Sequence, residues 1–136
     1  MYRRSSYSLF IGHGIVIGAV LFAVLHVLGT LFYLYWFYSW FDTVMHLIGG
    51  LWVGAVVVWA VHRYPSFSPE RTFFSALVVT FCVSVLWELF EIHVGYVDPS
   101  RGSAYWIDTF SDITAGTLGG ACAGLSALYG HYREKS

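Results

Sequence analysis

The stretch Ser75–Gly95, SALVVTFCVSVLWELFEIHVG, decides how this chain is read. It is apolar for almost its whole length. It is also long enough to cross a ~30 Å hydrocarbon layer, which takes ~20 helical residues. Yet Glu88 and Glu91 lie near one end, three residues apart. A membrane helix carries two acids only if something accommodates them.

Three further stretches share the same length and apolarity. With the first, they give expected helices over residues 9–30, 41–62, 72–95 and 107–129 of a single domain covering 1–136. Lipid offers the backbone no hydrogen-bond partners, so runs of this length are helical. Composition agrees: hydrophobic residues make up 57% of the 136, aromatics 20% and charged residues 11%. A soluble domain carries roughly 25% charged residues. The chain therefore lacks the polar surface of a water-exposed globule. The expected fold is an all-α, polytopic membrane bundle of four helices. A net charge of −1 points away from nucleic acid.

Polar punctuation separates the runs. RYPSFSPER (63–71) and VDPSRGS (97–103) are turns by composition. LFYLYWFYSW (31–40) is dense in Tyr and Trp, which favour the lipid–water boundary, and either extends the first helix or lies along the interface. The basic start MYRRSSYSLF resembles a signal peptide. The apolar run after it is too long for one, so a retained first helix is expected. Sidedness follows from the basic residues. With the N-terminus inside, Arg3, Arg4, Arg63, Arg71, Arg133 and Lys135 collect on the cytoplasmic side, and Arg101 stands alone outside. Both termini are expected inside. Cys82 and Cys122 fall within apolar runs and read as small packing residues.

Orientation brings the acids to one depth. The second and fourth helices enter from outside, with Asp42 then His46, and Asp108 then Asp112. The third helix ends there with Glu88 and Glu91. Each pair is spaced i,i+3 or i,i+4, so its members share a helix face. The faces continue as Gly50 and Gly54, as Gly116, Gly120 and Gly124, and as Ser84 and Thr80. Glycine at every fourth place lets membrane helices approach closely. The acids are thus expected inside the bundle.

Energetics limit how they persist there. An ionised residue at the membrane centre costs ~2.5–3.5 kcal/mol, so five bare carboxylates would cost on the order of 10 kcal/mol. Protons, Arg101 or a cation can relieve them. Carboxylates with an imidazole suit a divalent metal ion, or two, and bundle-core di-metal sites use such pairs. The candidate ligands are Asp42, His46, Glu88, Glu91, Asp108 and Asp112. The glutamates lie at a helix C-terminus, which disfavours anions, so they most need a partner.

The motifs FDTVMH (41–46), WELFE (87–91) and WIDTFSD (106–112), followed by GTLGG, resemble the YjdF-type bacterial membrane proteins of unknown function. More distantly the layout is similar to VanZ-like proteins. Those carry Lys, Gln and Asn where this chain has Thr43, Glu91 and Gly116, so the fit is closer to the YjdF type. The resemblance covers the last three apolar runs, names no substrate, and implies an integral protein of a prokaryotic cytoplasmic membrane.

Among the remaining residues, His26 is either a seventh ligand, a base behind the ligands, or hydrogen-bonded packing. His13 lies too far along its helix to reach the acids. His93 points away from Glu91, and His62 and His131 flank the cytoplasmic ends. Trp87, Trp106, Tyr96 and Tyr105 read as interfacial anchors. The functional expectation is a metal-dependent hydrolase or transferase, with Glu91 or Glu88 as general base, acting on a lipid or lipid-linked substrate. A cation or proton transporter and a metal-free scaffold are the alternatives. A homo-oligomer is compatible with all three.

Overall fold

The structure, a computed structural model, describes residues 2–61 and 67–135, and the side chains of 12–61 and 67–129. Helix α1 spans Tyr2–Leu31, α2 Leu34–Phe37, α3 Ser39–Val61, α4 Pro69–Val94 and α5 Ser103–Lys135, with a 3₁₀ turn at Pro99–Arg101 before α5. No strand occurs among the described residues. Of the basic residues that set the expected sidedness, only Arg71 and Arg101 have described side chains. His62 lies outside the described residues and the side chain of His131 outside the described side chains.

Local chemistry explains the boundaries. Ser68 caps α4, its hydroxyl accepting from the Arg71 N–H at 3.3 Å, and Pro69 fills the first helical position. Gly95, at φ 78°, ends α4 in the left-handed region. The Tyr96 N–H then donates to the Glu91 carbonyl at 2.9 Å, closing the last turn. Glu91 is thereby fixed in the final turn, beside the connecting loop. In that loop Asp98 accepts from the Ser100 N–H (2.9 Å) and hydroxyl (2.8 Å). These bonds hold its carboxyl below the usual range.

The aromatic tract does not prolong α1 and stays on the surface, with no buried residue in α2. It turns. Tyr33 adopts the left-handed conformation (φ 57°, ψ 30°), the one non-glycine residue with positive φ among those described. The short α2 follows, and Tyr38 is extended before α3 begins.

Helix α5 lies between α3 and α4, while α1 packs chiefly on α3. Glycines set the spacing. A Cβ added to Gly50 would run into the Gly116 carbonyl, and one added to Gly54 would come within 2.8 Å of the Gly120 Cα. These matched contacts make α3 and α5 parallel neighbours. On the other side Gly116 meets Ser84, Gly120 meets Thr80 and Gly124 meets Phe73, so α4 runs antiparallel to α5. Helix α1 runs antiparallel to α3, with Gly12 at Trp59, Gly18 at Trp52 and Phe22 at Gly49. The Trp52 indole N–H donates to the Ile15 carbonyl at 2.9 Å.

The interior is small and polar, and the exterior is large and apolar. Ala76, Thr80 and Ser84 are buried, while Val20, Leu21, Phe81 and Leu86 are exposed. That arrangement is the reverse of a soluble domain and suits a lipid solvent. Among the described residues three helices are long and apolar enough to cross a membrane: Gly12–Leu31, Ser39–Val61 and Pro69–Val94. The expected fourth run, 107–129, is helical but is not among them. Asp108, Asp112 and a series of Gly, Ser and Thr lower its apolarity, and the buried ones among these face α3 and α4.

Two packing expectations are corrected. Cys82 and Cys122 are exposed, on the outer surface of the bundle. Tyr105 is 6% exposed, so it is a core residue and not an interfacial anchor.

Candidate metal centre

The parallel α3–α5 pair and the antiparallel α4 carry their polar pairs to the same end of the core. On α3, Asp42 and His46 stack one turn apart, with His46 Nε2 3.6 Å from Asp42 Oδ1. His46 Nε2 also stands 3.8 Å from Glu88 Oε1 on α4. The imidazole therefore joins two helices.

Donor atoms gather in two groups around it. Asp42, His46 and Glu91 form one, and His46, Glu88 and Asp112 form the other; within each the ligand atoms lie within 4.8 Å of one another. Ligands 2.0–2.2 Å from an ion stand at most about 4.4 Å apart. Small rotamer adjustments would close either group on a cation. Asp108 belongs to neither group. It is half-buried, one turn nearer the loop than Asp112.

The groups differ in depth. Glu88 is 4% exposed and Asp112 2%, whereas Asp42 and Glu91 are half-buried. Glu88 Oε1 and Asp112 Oδ1 are fully buried and make no well-formed hydrogen bond, although the Thr109 hydroxyl lies beside Glu88 and the Thr43 hydroxyl beside Asp112. A buried polar atom without a partner costs ~1–3 kcal/mol, more when charged. These oxygens fit a cation as the missing partner. Arg101, one of the three ways of relieving the acids, forms no ion pair with the cluster among the described residues.

Several residues have roles the sequence did not reveal. Trp87 donates its indole N–H to Glu91 Oε1 at 2.9 Å, a bond rather than only an interfacial anchor. His26 joins neither ligand group. Its Nδ1 is 2.8 Å from the Tyr35 hydroxyl, and the Tyr35 ring meets Phe41 edge-on at 4.9 Å. Gly29 makes room for both rings: a Cβ there would lie 2.6 Å from Phe41 and 2.8 Å from Tyr35. The α1–α2 turn thus lays Tyr35 against the residue preceding Asp42. Burial, with Asp42 and Glu91 nearby, pushes the Tyr35 phenol up to about 12, so it keeps its proton. His93, Tyr96 and Trp106 are exposed. His13 is also exposed, some twenty residues along α1 from the turn that carries Tyr35.

An all-helical bundle with an apolar exterior and acids turned inward is a membrane protein by class. Residues 3–134 match the family described as "Predicted membrane protein (DUF2238)", and the chain belongs to it. This is the YjdF-type family that the three motifs resemble. No curated protein and no solved structure matches the chain.

Proposed function

We propose that the chain crosses a prokaryotic cytoplasmic membrane four times as one domain, with both termini inside, and holds a divalent metal ion in this cluster. The reading continues to a metal-dependent hydrolase or transferase acting on a lipid or lipid-linked substrate. The observation that carries the metal is the pair of buried, partnerless oxygens on Glu88 and Asp112 beside His46. A fourth span is supported by α5 packing on both α3 and α4, with Asp112, Gly116 and Gly120 buried there and Ile107, Phe110 and Leu118 on its outer side. The enzyme reading rests on location: the cluster is at one end of the core, at headgroup depth in a bilayer.

The ion would supply Lewis-acid activation of a phosphate-type group or of water. The chain's own residues divide the remaining work. Glu91 is the general base, because Trp87 fixes one of its oxygens and leaves the other free to accept a proton. Glu88, buried against His46, is the alternative base where the ion leaves it free. The Asp42 carboxylate, half-buried at the mouth, stands 3.6 Å from His46 Nε2 and would share an ion with it. Apolar side chains around the helices keep bulk water from the inner acids.

Elemental analysis of purified protein in nanodiscs tests the metal. About one equivalent of a divalent metal should survive dialysis, and Asp112→Asn should lower it. A metal-free protein would favour a scaffold. Release of a phosphorylated headgroup from lipid, lost in Glu91→Gln, tests the enzyme. Thr80 favours transport as a second reading, since its buried hydroxyl lacks a partner two turns below Glu88. Metal-dependent flux into proteoliposomes would support that reading over the enzyme.

A further inference from the structure

We infer that the cluster is a one-ion centre with two seats, an inner one of His46, Glu88 and Asp112 and an outer one of Asp42, His46 and Glu91, and that an ion in either seat excludes one from the other. The inference deepens the proposed metal reading and rests on it.

A single atom ties the two seats together. His46 Nε2 faces both Asp42 Oδ1, at 3.6 Å, and Glu88 Oε1, at 3.8 Å. An imidazole nitrogen has one lone pair and binds one metal ion at a time. That nitrogen stands within 4 Å of a carboxylate oxygen of each group, and His46 is the one residue the two groups share. Two ions together would leave one of them with two carboxylates and no imidazole. They would also face one another across a ring edge with no bridging carboxylate common to both groups.

Charge is equally even-handed. Each seat contributes two carboxylates and one neutral ring, which neutralises a single divalent cation. Burial then ranks the seats. The inner acids are 4% and 2% exposed and hold the partnerless oxygens Glu88 Oε1 and Asp112 Oδ1. The outer acids are half-buried, and Glu91 already has the Trp87 indole. An ion gains most at the inner seat and is reachable at the outer one. The inner seat is the resting position; the outer seat is where a headgroup oxygen would meet the ion, with Glu91 then a ligand and Glu88 the carboxylate left free to act as base.

Manganese(II) binding to the full chain in nanodiscs tests this. Metal is counted per chain, the spin state is read by electron paramagnetic resonance, and exposure by water-proton relaxation. Wild type should bind one ion, with a mononuclear spectrum and low relaxation enhancement. Asp112→Asn should still bind one ion, now outer. Its affinity should fall by more than the ~10–100-fold typical of losing an outer-shell partner, and its relaxation enhancement should rise. Glu91→Gln should keep wild-type affinity within about threefold and keep the low enhancement, because affinity falls steeply only when a donor in use, or its direct support, is removed. The double variant should bind nothing. If Asp112→Asn does not fold, Glu88→Gln removes the same seat. Two ions per chain, or a coupled-pair spectrum, overturns the inference alone. So does complete loss of binding in both inner-seat variants with none lost in Glu91→Gln, which would mean one seat only. Failure of wild type to bind manganese overturns the metal reading itself and the two-seat scheme with it.

Discussion

The same three helices behave differently in their two halves. Below the cluster, α3, α4 and α5 nearly touch: Gly50 lies on Gly116, Gly54 on Gly120, and Thr80 and Ser84 fill the remaining space. One turn above, the same faces carry Asp42, His46, Glu88, Glu91 and Asp112, whose donor atoms lie within 4.8 Å of one another in each group. The closed half teaches what the open half needs. Carboxylates cannot set their own separation, because they repel. The glycine contacts fix the backbone spacing, and the side chains one turn on inherit it. The close-packed half is structural, and it holds the acidic half in an arrangement the acids would not choose alone.

The largest effect should come from breaking the closed half. Gly50→Ala would drive a methyl into the Gly116 carbonyl, and backbone cannot move aside as a flexible side chain can. A loss beyond the usual ~1–3 kcal/mol of overpacking is expected, together with loss of metal binding. Gly49→Ala is the control. Its Cβ would meet only the Phe22 ring at 3.4–3.5 Å, an ordinary contact. It should gain up to about 1 kcal/mol from helix propensity. Thermal unfolding of the two adjacent variants reads the contrast directly. Equal behaviour would mean that glycine contacts do not set the spacing.

Next comes the open half. Metal at about 100 times its dissociation constant should stabilise wild type by about 2.7 kcal/mol. Glu88→Gln should remove most of that increment, leaving only what binding at the weaker outer seat supplies. Without metal, it should be no less stable than wild type, because it removes a buried charge that has no hydrogen-bond partner. A destabilised apo variant would show that Glu88 holds the helices together without an ion.

The contrast between halves also explains what the sequence could reveal. The shared faces were legible because i,i+4 spacing projects to one side of a helix whatever surrounds it. Gly50, Gly54, Gly116 and Gly120 are accordingly buried where that spacing put them. Asp108 was included with Asp112 by the same rule and lies outside both donor groups. Periodicity gives a face but not a depth, and Asp108 is a turn closer to the loop. Cys82 and Cys122 were assigned to the core by a rule learned from water, where small apolar residues are hidden; this bundle hides its glycines and hydroxyls instead. The α5 helix was legible as a helix, but its acids and glycines keep its composition below that of the other three long helices. Tyr35 and His26 were out of reach. Their meeting depends on a turn whose left-handed residue is Tyr33, with no Gly or Asn to announce it.

That turn supports the two smallest effects, and they separate position from strain. Tyr35→Phe removes the 2.8 Å bond to His26 and should cost about 1 kcal/mol. Metal content should stay unchanged, since Tyr35 is in neither donor group. Tyr33→Gly should do the opposite. A left-handed non-glycine residue carries strain of about 1–2 kcal/mol, and glycine relieves it while losing some unfolded-state restriction, roughly 0.5–1 kcal/mol. The net gain should therefore be about 0–1.5 kcal/mol. Tyr33 is 60% exposed, so little packing is lost with its ring. Tyr33→Pro fixes φ near −65° and cannot enter that region at all. It should unseat α2, move Tyr35 from Phe41 and lower stability by more than Tyr35→Phe does. A proline variant as stable as the glycine one would mean that the turn does not place Tyr35, and that the ring over the acids is held by α1 and α3 alone.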